Sequence, residues 1–256
     1  MLILLSPTKK LGTEHPAGLP CTGPSFKKEA NRLVRGLRQL SSTQLGSLMN
    51  LSDSLEKLTY DRLQSWSPNP KIGQAVPSLF AYQGEVFSKM NPADFSESEF
   101  DFSQKHLRIV SGLYGLLRPL DSIMPYRLEM GLPWSCGKGN SLYEFWGERI
   151  ANAVNSQLAC QGDDIVVNLA SNEYIKAVQP NKVAGQILTP IFKEKKGEKF
   201  RVVSFCAKRA RGLMSRFIIK NKAKVPEELK GFREDGYRFQ PKLSSEKDWV
   251  FTRPTP

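Results

Sequence analysis

The stretch Met1-Leu2-Ile3-Leu4-Leu5-Ser6-Pro7 decides the fold. An unbroken apolar run of this length, closed by a proline that cannot donate to a ladder, reads as a central strand buried on both faces. No basic residue precedes it, and it is too short for a secretory apolar segment. No other stretch approaches the roughly 18 apolar residues that a membrane helix needs. The expectation is a cytoplasmic protein with no membrane partner.

Working outward, residues 12–25 are rich in Gly, Pro, Thr and Ser and read as a loop. Helix is expected over residues 27–40, with Ala30, Leu33, Val34 and Leu37 on one face. A second helix is expected near 43–49. A third starts about Ser52, with Leu55 and Leu58 facing inward. Ser67-Pro68-Asn69-Pro70 breaks the chain. Leu79-Phe80-Ala81-Tyr82 reads as a short strand. Ser96-Glu97-Ser98-Glu99 has the spacing of a capping box, opening a helix that runs to about Val110.

Further along, residues 163–168 form a second apolar strand, and Ser171 is placed to cap the helix after it. Residues 186–192 and 199–206 flank Lys195-Lys196-Gly197 as a hairpin. A long helix follows over residues 207–222. A last hairpin pairs 237–239 with 249–252. Strands and helices mix without a regular βαβ rhythm and without a dividing linker. One α+β domain spanning residues 1–256 is expected, with a mixed sheet surrounded by helices.

Composition is that of a folded chain: 256 residues, 40% hydrophobic and 24% charged. The charge balance is unusual, with 37 Lys and Arg against 25 Asp and Glu and a net charge of +12. Between Lys199 and Lys224 stand nine basic residues and no acid. Such an excess favours a polyanion, although charge alone also describes a merely soluble basic protein. Cys21, Cys136, Cys160 and Cys206 make no CxxC pair, and His15 and His106 lack ligand partners at helical spacing. Hence no metal site, no cofactor and no obligate protein partner are expected.

Three constellations are candidates for function. In the basic helix, Ala210, Leu213, Met214, Phe217 and Ile218 make the buried stripe. Arg209, Arg216 and Lys220 lie together outside it, and Lys208, Arg211 and Lys222 flank another side. Cations one turn apart can meet successive phosphates; a solvated basic helix has the same pattern. Ser111-Gly112-Leu113-Tyr114-Gly115 resembles the hairpin of a helix-hairpin-helix, with Lys105, Arg108 and Arg118 near it. Without Cβ atoms its backbone can approach a phosphate. It has two residues between its glycines where the usual hairpin has one, and a plain helix-ending turn is the other reading. Third, Lys9 and the corner Asn168-Leu169-Ala170-Ser171-Asn172-Glu173-Tyr174 follow strands, where α/β proteins place ligand groups. Lys9, Ser171 and Tyr174, with Arg127, would then serve an enzyme acting on a nucleotide or nucleobase; plain capping by Ser171 and a buried Tyr174 is the structural alternative. Arg127 and Glu129 form either a cleft pair or a structural ion pair.

Several long segments resemble the YaaA family. They are Leu-Ile-Leu-Leu-Ser-Pro-Thr-Lys at 2–9, Leu-Arg-Ile-Val-Ser-Gly-Leu-Tyr-Gly-Leu-Leu-Arg-Pro-Leu-Asp at 107–121 and Pro-Tyr-Arg-Leu-Glu-Met-Gly at 125–131. Leu-Tyr-Glu-Phe-Trp at 142–146, Val-Asn-Leu-Ala-Ser-Asn-Glu-Tyr at 167–174 and Ala-Lys-Arg-Ala-Arg-Gly-Leu-Met-Ser-Arg-Phe-Ile at 207–218 complete the set. The resemblance implies a bacterial cytosolic protein induced by hydrogen peroxide that limits damage by unincorporated iron. It also implies binding of duplex, bent or bulged DNA through a positive cleft with a helix-hairpin-helix element. Carried onto this chain, the hairpin is Gly112 to Gly115, with Tyr114 and Arg108 beside it. Charge and motif position would draw the cleft from Lys9, Arg118, Arg127, Lys208, Arg209, Arg211 and Arg216. No enzymatic reaction is attached to the resemblance; a non-enzyme is the favoured expectation, and the enzyme reading stays open beside it.

Overall fold

The computed structural model describes residues 1–137 and 139–254. One mixed sheet of eight strands organises them. In chain order these are β1 (Leu2–Leu5), β2 (Leu107–Ser111), β3 (Gly115–Leu117) and β4 (Ile165–Leu169). The others are β5 (Gln186–Lys196), β6 (Lys199–Arg201), β7 (Arg238–Phe239) and β8 (Asp248–Arg253). The sheet order is β7-β8-β5-β4-β1-β2-β3, with β6 pairing to β5.

The apolar N-terminal run is central, as its composition requires. β1 pairs in parallel with a strand on each side, Ile3 opposite both Leu107 and Val167. Leu2, Ile3, Leu4 and Leu5 have no exposed surface. Each such side chain is worth roughly 1.5–3 kcal/mol of burial. A one-residue slip would keep the side chains apolar; it is the parallel neighbours on both edges that hold the register.

Five strands in a row, β8-β5-β4-β1-β2, run parallel, and antiparallel β7 and β3 close the ends. From β1 the chain moves to β2 on one side. From β4 it moves to β5 and β8 on the other. The direction of winding therefore reverses between β1 and β4. At such a point the connections diverge and leave a crevice outside the carboxyl ends of the two strands.

The helices are α1 (Lys27–Leu37), α2 (Ser42–Met49), α3 (Asp53–Ser65), α4 (Ser78–Ala81) and α5 (Glu85–Met90). They continue with α6 (Glu97–His106), α7 (Leu142–Trp146), α8 (Arg149–Gln161), α9 (Asn172–Val178) and α10 (Ser204–Asn221). The α1 stripe of Ala30, Leu33, Val34 and Leu37 is buried, as its spacing predicts.

Four local expectations are corrected. In α3 the buried residues are Thr59 and Leu63, while Leu55 and Leu58 are exposed. Leu79, Phe80 and Ala81 form a helical turn, and only Tyr82–Gln83 is strand. The helix opened by Ser96 stops at His106, because Leu107 to Ser111 enter the sheet. The Glu99 carboxylate does accept from the Ser96 amide at 2.7 Å. The basic helix begins at Ser204, so Cys206 lies in it and not in the hairpin.

The helix-hairpin-helix expectation also fails. Gly112-Leu113-Tyr114 joins two antiparallel strands, β2 and β3, and Ser111 to Gly115 are all buried. A β-carbon on Gly112 would stand 2.3 Å from the Leu128 carbonyl oxygen. One on Gly115, which has φ +69°, would meet the rings of Trp146 and Phe26. The glycines serve internal close packing rather than a phosphate.

Candidate functional site

The crevice between β1 and β4 is a cleft of about 760 Å³, within the usual range for small-ligand sites. Ser6 ends β1 and Ser171 follows β4. The Ser6 hydroxyl oxygen accepts from the Ser171 amide at 2.8 Å, and the two hydroxyls lie 3.3 Å apart. This pair bridges the reversal point and forms the cleft floor. Beyond Ser6 the chain continues into Thr8, whose hydroxyl is 3.0 Å from the Gln83 carbonyl. Lys10–Leu11 then pairs with Tyr82–Gln83 as one wall.

The opposite wall is the segment carrying Tyr126, Arg127 and Glu129. It crosses tightly over Gly112, which is why that residue has no side chain to spare. The Tyr126 hydroxyl lies 2.6 Å from Ser111 Oγ and 2.7 Å from the Tyr82 hydroxyl, locking the segment from beneath. Burial pushes the Tyr126 hydroxyl up to about 12, so it stays protonated. Glu173 on α9 accepts from the Gly131 amide at 2.9 Å and fixes the far end. Burial also raises the Tyr174 hydroxyl well above its ordinary range. Tyr174 thus keeps its proton at neutral pH.

Charge in the cleft divides into two sets. Glu129 Oε1 forms ion pairs with Lys9 Nζ at 3.0 Å and with Arg127 Nη2 at 3.2 Å. Lys10, Lys208 and Arg211 also line the cleft or its rim, and among the described residues none of them forms an ion pair. Burial lowers the Arg211 pKa, yet an arginine remains charged at neutral pH. Phe205, 55% exposed, stands at the rim on the first turn of α10.

The residues singled out from sequence separate cleanly. Lys9, Arg127, Ser171, Tyr174, Lys208 and Arg211 all line this cleft. Arg216 and Arg118 pair elsewhere, Arg216 with Asp94 at 2.7 Å and Arg118 with Asp121 at 2.8 Å; Arg209 does not line the cleft but pairs at 3.7 Å with Glu85, which does. Arg108 is buried in β2 and donates to the Gln104 and Leu107 carbonyls and to Gln157. Tyr114 is buried, its hydroxyl accepting from Trp66 Nε1 at 2.8 Å. Gly112 backs the cleft wall at Leu128 and Tyr114 packs edge-on against Tyr126, while Gly115 packs on Trp146 and Phe26, outside the cleft lining. Sequence reasoning missed Ser6, Lys10 and Phe205. For Phe205 the available signal was an aromatic residue just ahead of a cationic helix; for Ser6, its place directly after the central strand.

Among the described residues no group of three or more His, Cys, Asp or Glu is placed to hold a metal ion. No described helix is long and apolar enough to cross a membrane.

Fold and cleft together define a protein with a largely parallel central sheet and a basic small-ligand cleft at its reversal point. The family described as "Peroxide stress protein YaaA" matches residues 1–243. A "UPF0246 protein" of Saccharophagus degradans is 46% identical over 254 residues, covering 99% of each chain. The chain belongs to the YaaA family of peroxide stress proteins.

Proposed function

We propose that this chain binds duplex DNA, including bent or bulged duplex, through the basic cleft, and so limits iron-dependent oxidative damage. One observation carries the reading. Lys9, Arg127, Lys208 and Arg211 come from three distant parts of the chain and line one cleft, joined there by Lys10. Phosphates attract cations without regard to sequence, so affinity comes mainly from neutralised charge. No described element matches a major-groove reader, so base sequence is read weakly. Iron(II) is itself a cation drawn to phosphate, and a protein on the backbone occupies the same ligand.

The test is a filter-binding series with duplex DNA from about 50 to about 200 mM salt. Three to five phosphate contacts give an affinity that falls by roughly 40- to 500-fold across that range. A flat response removes the electrostatic reading.

A second reading has its own support. Lys9, Arg127, Ser171 and Tyr174 share the cleft, which suits an enzyme acting on a nucleotide or nucleobase. Turnover of free nucleotides, lost in Tyr174→Phe, would replace the first reading; no turnover over a panel of nucleotides and bases leaves it in place.

A further inference from the structure

The Arg127–Glu129 pair is incomplete in an informative way. Their ion pair joins Nη2 and Oε1 at 3.2 Å. Arg127 Nε and Glu129 Oε2 are also buried, and neither has a hydrogen-bond partner. An unpaired buried donor and an unpaired buried carboxylate oxygen each cost free energy until water or a ligand satisfies them. Both residues line the cleft.

The missing partner must present an acceptor for Arg127 Nε–H and a donor for Glu129 Oε2. Every nucleobase has a donor next to an acceptor on its Watson–Crick edge, but that edge is occupied in a paired duplex. Only an unpaired base swung out of the helix can offer it. The rest of the cleft suits the same guest. Phe205 at the rim offers an exposed ring for stacking, Leu169 and Val86 line the interior, and Lys208 and Arg211 stand at the rim for the flanking phosphates.

We propose that the cleft is an extrahelical-base site: it takes one unpaired base of duplex DNA, holds its Watson–Crick edge on Arg127 and Glu129 and stacks it on Phe205. The inference rests on DNA binding at this cleft and names what is recognised there. It converts a general affinity for distorted duplex into recognition of one base.

The experiment compares two duplexes that differ in one group. One carries a single-nucleotide bulge. The other carries a tetrahydrofuran abasic analogue at the same bulge. Backbone charge is shared, and the substitutions below separate contact with the base from the extra flexibility of the abasic bulge. The base bulge is expected to bind about tenfold tighter. Phe205→Ala and Glu129→Gln are each expected to bring the base bulge down to the abasic level. Phe205 is largely exposed, so its variant folds. Equal affinity of the two bulges for the unaltered chain overturns the proposal and leaves DNA binding intact. A preference that survives both substitutions overturns it as well. Absence of salt-sensitive binding to any duplex removes both readings together.

Discussion

Arg216 and Lys208 sit on the same helix, about two turns apart, and meet opposite surroundings. Arg216 forms a two-pronged pair with Asp94, both contacts at 2.7 Å, and donates to the Met90 carbonyl. Its neighbour Lys220 reaches Glu99 at 2.9 Å, and Arg209 reaches Glu85. Lys222 donates to Ser98 at 3.0 Å. On the other side of α10, Lys208 and Arg211 face the cleft with no carboxylate partner among the described residues. One face of the helix is a clamp onto the segment from α5 to α6. The other is an unneutralised rim. A run of cations with no acid between them is therefore no measure of free positive charge, because the acids arrived from more than a hundred residues away.

Gly212 separates the two faces and offers the largest disturbance. A β-carbon there would stand 2.2 Å from the Val86 carbonyl oxygen, where α10 packs on α5. Gly212→Ala is expected to cost about 2 kcal/mol, read as a lower urea midpoint, because backbone must shift to admit the methyl group. It pushes α10 off α5 and disturbs both faces at once.

Replacing Lys208 and Arg211 together by alanine tests the rim alone. DNA affinity at about 0.1 M salt is expected to fall about tenfold or more, with a shallower salt dependence, and Lys208→Ala alone, at an exposed position, to leave thermal stability little changed. Arg216→Ala tests the clamp alone. Both partners of its ion pair are partly exposed, so the loss is about 0.5–1 kcal/mol, and DNA affinity stays within about twofold. If Arg216→Ala weakens DNA binding as much as the rim variant does, the division into clamp and rim is wrong.

The smallest effect is one of pH. Hydrogen bonding from Arg216 and then Lys220 holds the Asp94 carboxyl down to about 2. A depressed carboxylate pKa stabilises the fold above the unfolded value, and that contribution disappears as pH falls through the folded value. The stability gap between the unaltered chain and Asp94→Asn should be full above pH ~5, shrink as pH falls and be gone below pH ~2. A gap that is constant across this window would mean that the pair contributes no charge-dependent stability.

Much of the architecture was legible. β1 announced itself because a strand buried on both faces needs apolar residues at every position, and that leaves an unbroken run. The α1 stripe was legible because its period matches one helical face. The hairpin glycines misled for a definite reason. A glycine marks a place where a side chain cannot fit, but sequence does not say whether the close neighbour is a phosphate or a carbonyl. For Gly112 it is the carbonyl of Leu128. Leu55 and Leu58 misled because an apolar pair at helical spacing signals a buried face only where another element covers it.

The candidate site was half legible. Lys9, Ser171 and Tyr174 come within five residues of strands whose apolar runs are plain, so their place near a strand end could be read. Their convergence with Lys208 and Arg211 could not, since the winding reversal depends on which strand lies beside β1. Local patterning, read residue by residue, determined the central strand, most helices, the net positive charge and the family likeness. Only the tertiary structure decided which cations remain free and where the cleft opens, because ion pairing and strand order are set by contacts between segments that no local pattern encodes.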